Sequence, residues 1–262
     1  MTSPPSETHL APEKAEIVWF SGEDAERFLN DLISQEIADL PEGESRRSFL
    51  LSPQGKLDFM FWVTRSGDRL GLIIEGGRGE ELANALSRYR IRVNVDITVE
   101  TASLIVGEAQ GVDVSWEGVP RFVATGAPSH PVMSGADYES LRLSAGEPRW
   151  GTDVDGSTIP HESGLVAVSV DFDKGCFLGQ ELVARIDSRG ANTPRKLRRL
   201  VIDGSVAAGD VLVVEGKEVG VVTSVAGELG LGMVRREVEP GAVLTSGAAQ
   251  VVVKELGPKL IT

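Results

Sequence analysis

The stretch KGCFLGQELVAR spans residues 174–185 and holds Cys176, the only cysteine in a chain of 262 residues. Gly175 and Gly179 lie on either side of the thiol. Because glycine frees the backbone, this arrangement indicates a tight turn or a surface that a ligand approaches closely. The stretch therefore raises the question of whether its thiol packs inside the protein or meets something outside it.

A helix is predicted to begin directly after this turn, at Gln180. Glu181 and Arg185 are four residues apart, in the order that stabilises a helix by about 0.2–0.5 kcal/mol. Cys176 would then lie just before a helix N-terminus, and with Lys174 beside it this position favours the thiolate form. Two interpretations follow from the residues alone: a reactive or metal-sensing cysteine, and a small buried hydrophobic side chain.

The cysteine count restricts the kinds of site that the chain can build. One cysteine excludes an internal disulfide, a CxxC zinc site and an iron–sulfur cluster held by this chain alone, since each needs several ligands. A free thiol suits a reducing compartment. The chain contains no run of about 18 apolar residues, so no membrane span is predicted. The N-terminal residues also lack the pattern of a signal peptide. We therefore expect a cytoplasmic protein with no membrane partner.

The net charge of −13 argues against a general nucleic-acid-binding surface, because such a surface would be basic. Residues 183–200 are an exception, since they hold six basic residues and one aspartate, a net charge of +5. A basic patch on an acidic protein fits a small anionic ligand or a narrow contact. A solvated loop is the alternative interpretation.

The pattern of apolar residues predicts an α+β protein in three segments. Residues 1–15 are rich in Pro, Ser, Thr and Glu, which is typical of a disordered tail. Residues 16–195 mix helix and strand patterns without a regular βαβ rhythm, so an α+β region is favoured over a doubly wound sheet. Ser140–Leu143 is one of its weaker strand candidates. Residues 196–262 contain short β-branched runs separated by glycines, which predicts a small C-terminal β-barrel or sandwich.

Two other patterns carry weaker signals. The stretch IIEGGRGEEL, from Ile73, has a glycine turn, but it lacks the GxGxxG spacing and the lysine of a P-loop. The three histidines are isolated, and none has a ligand-type partner four residues on, so no metal site is predicted. A Cys–His pair would require His130 or His161 to fold back onto Cys176.

The stretch from Lys174 to Arg185, followed by RGAN at residues 189–192, resembles the signature of the YgfZ family. Members of this family are folate-binding proteins associated with iron–sulfur enzyme maturation and tRNA modification, and the mitochondrial Iba-type assembly factors are relatives. Gly55-Lys56 and the segment from Leu141 to Gly146 resemble the family in the same order. The resemblance extends over residues 15–255 of the sequence. It implies an aminomethyltransferase-like folate-binding fold, with two α+β subdomains and a C-terminal small antiparallel β-barrel.

The resemblance also implies which residues act. Cys176 would be the functional thiol, with Lys174 beside it and Gly175 and Gly179 forming the turn. Tetrahydrofolate is the implied cofactor, and Tyr138 would stack on its pterin unless it is an ordinary strand aromatic. Arg185, Arg189 or Arg195 would pair with the carboxylates of the folate tail, or would face a partner protein instead. The remaining folate contacts implied by the resemblance are Arg142, Gln180, Glu181, Arg185 and Arg189.

Departures from the family's enzymes favour one branch. The related aminomethyltransferases carry a glutamate where this chain has Ser144, and they lack the cysteine of the KGC stretch. We therefore expect a tetrahydrofolate-binding protein that supports maturation or repair of iron–sulfur enzymes, and thereby tRNA modification. The implied partners are folate and iron–sulfur enzymes or their assembly factors. The alternatives are a tetrahydrofolate-dependent aminomethyl or one-carbon transferase and a scaffold that has lost folate.

Overall fold

The computed structural model describes residues 7–126 and 128–256, which divide into two compact units. Among the described residues, the N-terminal unit consists of residues up to 135 together with Ala167–Gln180, and the C-terminal unit consists of Ala136–Val166 and the residues from 181 onwards. This division differs from the boundary predicted near residue 195. The reason is that side chains from the segment 136–166 are bonded to strands of the barrel.

An antiparallel sheet forms the body of the N-terminal unit, in the order β3-β4-β5-β2-β6-β8-β7, with β1 paired to β6. The turn Gly67-Asp68 joins β4 to β5 and confirms the hairpin pattern of the sequence. The strands are β1 (His9–Leu10), β2 (Ala15–Ser21), β3 (Ser45–Leu51), β4 (Leu57–Ser66), β5 (Arg69–Glu75), β6 (Asp96–Val106), β7 (Val112–Asp113) and β8 (Arg121–Thr125).

Strand β1 lies within the segment predicted as a disordered tail. His9 and Leu10 pair with Val106 and Ile105, and the amide of Leu10 donates to the carbonyl of Pro131 at 2.9 Å. The tail prediction is therefore wrong for these residues, because main-chain bonds that the sequence does not reveal hold them. The first six residues of the predicted tail lie outside the described part of the chain.

Two amphipathic helices cover one face of this sheet. Helix α1 spans Ala25–Asn30 and helix α2 spans Gly79–Ser87. Phe28 and Leu29 of α1 and Leu82 of α2 join the buried core with residues of the central strands. Burial of each such side chain contributes about 1.5–3 kcal/mol to the stability of this unit.

A closed antiparallel barrel forms the body of the C-terminal unit, in the order β10-β11-β12-β9-β14-β13 with β10 and β13 also paired. It confirms the predicted barrel, whose interior is filled by Leu, Ile and Val side chains. Its strands are β9 (Arg195–Asp203), β10 (Val211–Val214), β11 (Lys217–Ala226), β12 (Leu229–Arg235), β13 (Val243–Ser246) and β14 (Ala249–Lys254).

The remaining helices are α3 (Gly135–Ala145), α4 (Val166–Ser169) and α5 (Gln180–Asp187), and a 3-10 turn covers Pro160–Glu162. The strand predicted at Ser140–Leu143 is wrong, because these residues lie in α3. Tyr138, Leu141, Arg142 and Ala145 are buried at helical spacing along that helix. Helix α5 begins at the residue that the sequence predicts. In the described residues no helix has the length and apolar character to cross a bilayer.

Candidate functional site

The segment 171–179, here called the thiol loop, presents Cys176 at the surface of the N-terminal unit. Its neighbours Phe172, Asp173 and Gly175 are exposed as well. The interpretation of Cys176 as a small buried hydrophobic side chain is therefore wrong. The thiol is accessible to a reagent or a partner molecule.

The first turn of the thiol loop is closed by Asp171. Its Oδ1 accepts hydrogen bonds from the amides of Asp173 and Lys174, at 2.8 and 3.2 Å. The amide of Asp171 donates to the carbonyl of Ser34 at 3.0 Å, and the hydroxyl of Ser34 donates to the carbonyl of Ser169 at 2.6 Å. The loop thus begins from a point that is fixed on the segment following α1.

The ammonium of Lys174 is directed into this same segment. Its Nζ lies 2.8 Å from the carbonyl oxygen of Asn30, 3.1 Å from Asn30 Oδ1, 3.0 Å from the carbonyl of Ile33 and 2.8 Å from that of Gln35. A lysine commonly satisfies the carbonyls that a helix end leaves without partners. The group predicted to act beside the thiol therefore anchors the thiol loop to the end of α1.

Burial lowers the pKa of Lys174 to about 8, and the nearby carboxylates of Glu36, Asp171 and Asp31 oppose this shift. The ammonium also lies 5.6 Å from the centre of the Phe177 ring. Such contacts between a cation and an aromatic face contribute about 0.5–1 kcal/mol at partly exposed sites. The lysine thus contacts both the helix end and the far side of the thiol loop.

Gly179 ends the thiol loop in close contact with the turn between β3 and β4. Its φ is +76°, and a Cβ built there would lie 2.5 Å from the carbonyl oxygen of Ser52 and 2.9 Å from Leu51 Cβ. The same position is 3.2 Å from the Cα of Gly55, which opens the second family motif. Two motifs that are far apart in the sequence therefore touch through their glycines.

Gly175 differs from Gly179 both in the space around it and in its backbone conformation. A Cβ at Gly175 would meet no heavy atom within 4 Å, and its φ lies outside the left-handed region. Nothing within the N-terminal unit requires glycine at this position. Gly175, which has this open space around it, directly precedes Cys176 in the chain.

Gln180 closes the turn that presents the thiol. Its Oε1 accepts a hydrogen bond from the amide of Phe177 at 2.8 Å, and its own amide donates to the carbonyl of Phe177 at 3.3 Å. The side chain thereby fixes the turn that precedes α5. The side-chain oxygen of Gln180 is thus used within the thiol loop, and its role as a folate contact stays a prediction.

Arg142, another folate contact implied by the sequence, is buried in α3 and uses all five of its donors within the C-terminal unit. Nη1 binds Asp153 Oδ2 at 2.7 Å and the carbonyl of Glu147 at 2.5 Å. Nε and Nη2 bind the two oxygens of Glu139, and Nη2 also donates to the hydroxyl of Ser224 on β11 at 2.9 Å. In this conformation the guanidinium has no donor left for a ligand, so the structure does not favour the predicted role.

The two residues associated with the pterin are also turned inward. Tyr138 is 3% exposed on α3, so it is not a strand aromatic. The hydroxyl of Ser144 donates to the carbonyl of Leu141 at 2.7 Å, which directs it to its own helix. Neither side chain offers a free polar or aromatic face to a ligand in this conformation.

Exposed charges remain on and after α5. Glu181, Arg185 and Arg189 are exposed, and the ion pair expected between Glu181 and Arg185 is absent from the described residues. The other arginines of the basic segment have internal partners. Arg195 pairs with Glu162 at 3.3 Å, Arg198 pairs with Glu255, and Arg199 donates to the carbonyl of Ser144 at 3.0 Å.

Of the predicted anion-binding residues, Arg185 and Arg189 therefore carry guanidinium groups with no hydrogen-bond partner in the described part of the chain. Guanidinium groups without a partner can pair with a carboxylate ligand. The folate contacts implied by the sequence thus fall into two groups, with Arg142, Tyr138 and Gln180 engaged inside the protein and the α5 charges open to solvent.

The histidines do not form a pair with the thiol in what the structure describes of the N-terminal unit. His130 is exposed, and no hydrogen bond joins it to Cys176. His161 is buried in the C-terminal unit, with Nε2 3.7 Å from Asp187 Oδ1, and burial lowers its pKa despite that carboxylate. Across residues 7–126 and 128–256, no three His, Cys, Asp or Glu side chains are grouped as metal ligands.

The residues that hold the thiol loop are those that sequence reasoning missed. Asn30, Ile33 and Gln35 bind Lys174 mainly through carbonyl oxygens, which every residue type possesses. Their side chains therefore carry no signal. Asp171 is different, because an aspartate two and three residues before the amides that it binds is a recognisable turn pattern.

Comparison with known proteins identifies the barrel. Residues 195–256 match the family model described as the CAF17 C-terminal beta-barrel domain. The chain is 23% identical over 225 residues to the tRNA-modifying protein YgfZ of Cronobacter sakazakii, covering 71% of this chain and 68% of that protein. It is 33% identical over 132 residues to the mouse iron–sulfur cluster assembly factor IBA57, covering 47% of this chain and 37% of the mouse protein.

The fold is similar to that of the glycine cleavage system aminomethyltransferase T from Bartonella henselae. The TM-score is 0.77 at 18% identity, covering 95% of this chain and 85% of that one. The predicted aminomethyltransferase-like fold and the predicted resemblance to YgfZ and IBA57 are thus confirmed. Alignments with the mitochondrial assembly factors span only between 17% and 37% of those proteins.

Proposed function

We propose that this protein binds tetrahydrofolate and supports the maturation or repair of iron–sulfur enzymes, and thereby tRNA modification, with Cys176 as its functional thiol. The observation that carries the proposal is the presentation of one exposed thiol on a loop that is fixed at both ends. Lys174 holds the first end to α1, and Gly179 packs the second against Ser52. A fixed loop loses little conformational entropy when a partner binds it.

The chemistry of the thiol requires a second component. One thiolate cannot hold an iron–sulfur cluster alone, so a cluster role needs further ligands from another chain or a small molecule. The open space beside Gly175 leaves room for such a component to approach the sulfur. A free exposed thiol also fits a reducing compartment, so a cytoplasmic location belongs to the proposal.

The folate part of the proposal is supported by the fold and by two side chains. Folate carries carboxylates on its glutamate tail, and the exposed guanidinium groups of Arg185 and Arg189 fit that chemistry. Glu181 lies one helical turn before Arg185 on α5. We propose Glu181, Arg185 and Arg189 as the folate-binding residues of this region. They take the place of Arg142, Tyr138 and Gln180, which are engaged inside the protein.

The names of the relatives support the other part. IBA57 is named as an iron–sulfur cluster assembly factor and YgfZ as a tRNA-modifying protein. The proposed partners are therefore iron–sulfur enzymes or their assembly factors, with the effect on tRNA arising through such enzymes.

A tetrahydrofolate-dependent aminomethyl or one-carbon transferase is the second candidate, since the fold resembles that of an aminomethyltransferase. The environment of Ser144 weighs against it. Those enzymes place a carboxylate where this chain has a hydroxyl, and that hydroxyl is bonded to the carbonyl of Leu141.

The thiol is tested by complementation of a strain that lacks the homologous protein, with the activity of an iron–sulfur enzyme as the readout. Cys176→Ser should fail to restore that activity while unfolding at the same denaturant concentration as the wild type. Lys217→Ser, on the barrel surface, is the matched control and should complement fully. Full complementation by Cys176→Ser would overturn the role of the thiol.

The folate part is tested separately by calorimetry with tetrahydrofolate. We expect binding in the micromolar range, and a dissociation constant raised about tenfold in Arg185→Met/Arg189→Met. Absence of binding to the wild type would leave a scaffold that does not use folate. Turnover of aminomethyl or N-methyl donors to methylene-tetrahydrofolate would favour the transferase instead.

A further inference from the structure

A short basic segment follows helix α2 in the N-terminal unit and has no part in the function proposed above. Residues 88–92 read RYRIR, and we call them the arginine loop. All five residues are exposed. Ile91 is 74% exposed and Tyr89 is 38% exposed, which places both among the large apolar side chains left open to solvent.

The backbone of the arginine loop is held by local hydrogen bonds. The amides of Tyr89 and Arg90 donate to the carbonyls of Leu86 and Ser87, at 3.0 and 3.1 Å. The amide of Ile91 donates to the carbonyl of Tyr89 at 2.8 Å. The exposed side chains are therefore presented from a defined turn that continues α2.

The three guanidinium groups of the loop have no ion pair or side-chain hydrogen bond within the described residues. Arg88 interacts electrostatically with the carboxylate of Asp58, and the carboxylate of Asp24 is bound by Arg27 and by the amide of Asn94. The loop itself carries three positive charges on a protein with a net charge of −13.

Arg92 adopts a backbone conformation that favours glycine. Its φ is +58°, and among the described residues 21 of the 25 positive-φ positions are glycine. The Cβ of any other residue makes this conformation unfavourable, and such strained residues often lie at functional sites. This chain has an arginine where glycine would fit the turn with less strain.

We propose that the arginine loop is a docking surface for an acidic segment of a partner protein that also carries apolar side chains. Charge complementarity favours an acidic partner, because the loop is basic and unpaired. Tyrosine and arginine are enriched at the residues that dominate protein–protein binding. Ile91, between Arg90 and Arg92 in the chain, supplies an exposed apolar contact.

The same observations disfavour the other occupants. A nucleic acid is a long polyanion, and the acidic body of this protein repels it. Contacts with its phosphates would not involve the exposed side chain of Ile91. Favourable interaction with the C-terminal end of α2 accounts for Arg88 at most, since that effect fades within a turn of the helix end. It explains neither Arg92 nor the exposure of Ile91.

The test measures fluorescence anisotropy of a short labelled peptide in which glutamate alternates with leucine and phenylalanine, using the full chain without folate. We expect binding that weakens as salt rises towards physiological strength. Arg88→Ala/Arg90→Ala/Arg92→Ala should weaken binding by about tenfold or more, and Ile91→Ser by about threefold to fivefold. Lys217→Ala/Lys254→Ala/Arg235→Ala removes the same charge from the barrel and should leave binding within about twofold of the wild type.

Arg92→Gly separates binding from folding. It should weaken peptide binding by about threefold while leaving the thermal midpoint unchanged or higher, because glycine relieves the left-handed backbone. A lower midpoint with unchanged binding would assign Arg92 to the fold and overturn its part in docking.

Three outcomes would overturn the proposal as a whole. The first is no binding of the peptide up to about 1 mM. The second is tighter binding of a single-stranded RNA of equal charge than of the peptide. The third is self-association of the chain that the triple arginine variant abolishes, which would make a second copy the occupant. None of these results bears on tetrahydrofolate binding, because the arginine loop and the α5 arginines belong to different units.

Discussion

The side chain of Lys174 binds Asn30, the last residue of helix α1, at two atoms: Nζ donates to the carbonyl oxygen at 2.8 Å and to Oδ1 at 3.1 Å. The residues are 144 positions apart, so this contact fixes a late loop on an early helix. It makes the lysine a positioning residue for the thiol loop.

Lys174→Met should lower the free energy of unfolding by about 2–4 kcal/mol, since it removes charge-assisted bonds and leaves partly buried carbonyls without these partners. Urea unfolding at neutral pH measures the change. Lys217→Met, at an exposed position, is the control and should change stability by less than about 0.5 kcal/mol. Equal stability of the two variants would contradict the anchoring role.

The two glycines of the KGCFLG stretch should respond oppositely to alanine. Gly179→Ala should cost about 2–4 kcal/mol, because its Cβ would meet Ser52 at a left-handed φ. Gly175→Ala should stay within about 0.5 kcal/mol of the wild type, since nothing lies within 4 Å of the added atom. Chemical denaturation of both variants checks the contrast, and a large loss for Gly175→Ala would refute it. If Gly175→Ala folds normally yet fails in complementation, the space beside Cys176 serves a partner.

The arginines of the C-terminal unit should separate into structural and ligand-binding groups. Arg142→Met leaves the buried carboxylate of Asp153 without its ion-pair partner and the half-buried carboxylate of Glu139 with Arg149 alone, so stability should fall by about 3–5 kcal/mol. Arg185→Met removes an exposed, unpaired charge and should change stability by less than about 0.5 kcal/mol. Differential scanning calorimetry measures both. A stable Arg142→Met protein with weakened tetrahydrofolate binding would return Arg142 to the ligand site.

His161 should make the protein sensitive to mild acid. Burial holds its pKa below the ordinary value of 6.5, so the unfolded chain takes up a proton at a higher pH than the folded chain does. Stability is therefore lost as the pH falls through 6.5 towards the lower pKa of the folded state. His161→Gln should lose less unfolding free energy than the wild type between pH 7 and about 5, as measured in urea. Parallel pH profiles for the two proteins would rule out this contribution.

The sequence was sufficient for the barrel, for the helix at Gln180 and for the family resemblance, because each has a local signature. It failed at α3, where Ser140–Leu143 was interpreted as a strand. Arg142 is buried on the same helical face as Tyr138 and Leu141, and a charged residue does not count as apolar when periodicity is read. The helical spacing was thereby hidden.

The role of Lys174 was beyond sequence reasoning for a different reason. Adjacency to Cys176 predicted an effect on the thiol, yet the ammonium meets carbonyl oxygens of residues 30–35. Every residue type has a carbonyl oxygen, so the sequence does not show which carbonyls accept a hydrogen bond from Lys174. Only the positions of the thiol loop and the end of α1 in the structure show them.

The N-terminal unit is interrupted in sequence, since the segment 136–166 separates its first part from Ala167–Gln180. During synthesis the sheet strands and α1 leave the ribosome long before the residues that bind Ser34 and Asn30. The segment 136–166 finds its partners later still, because the barrel strands that it binds are synthesised last. The thiol loop therefore docks late on the pathway of its own unit, and no single cut in the chain yields either unit whole.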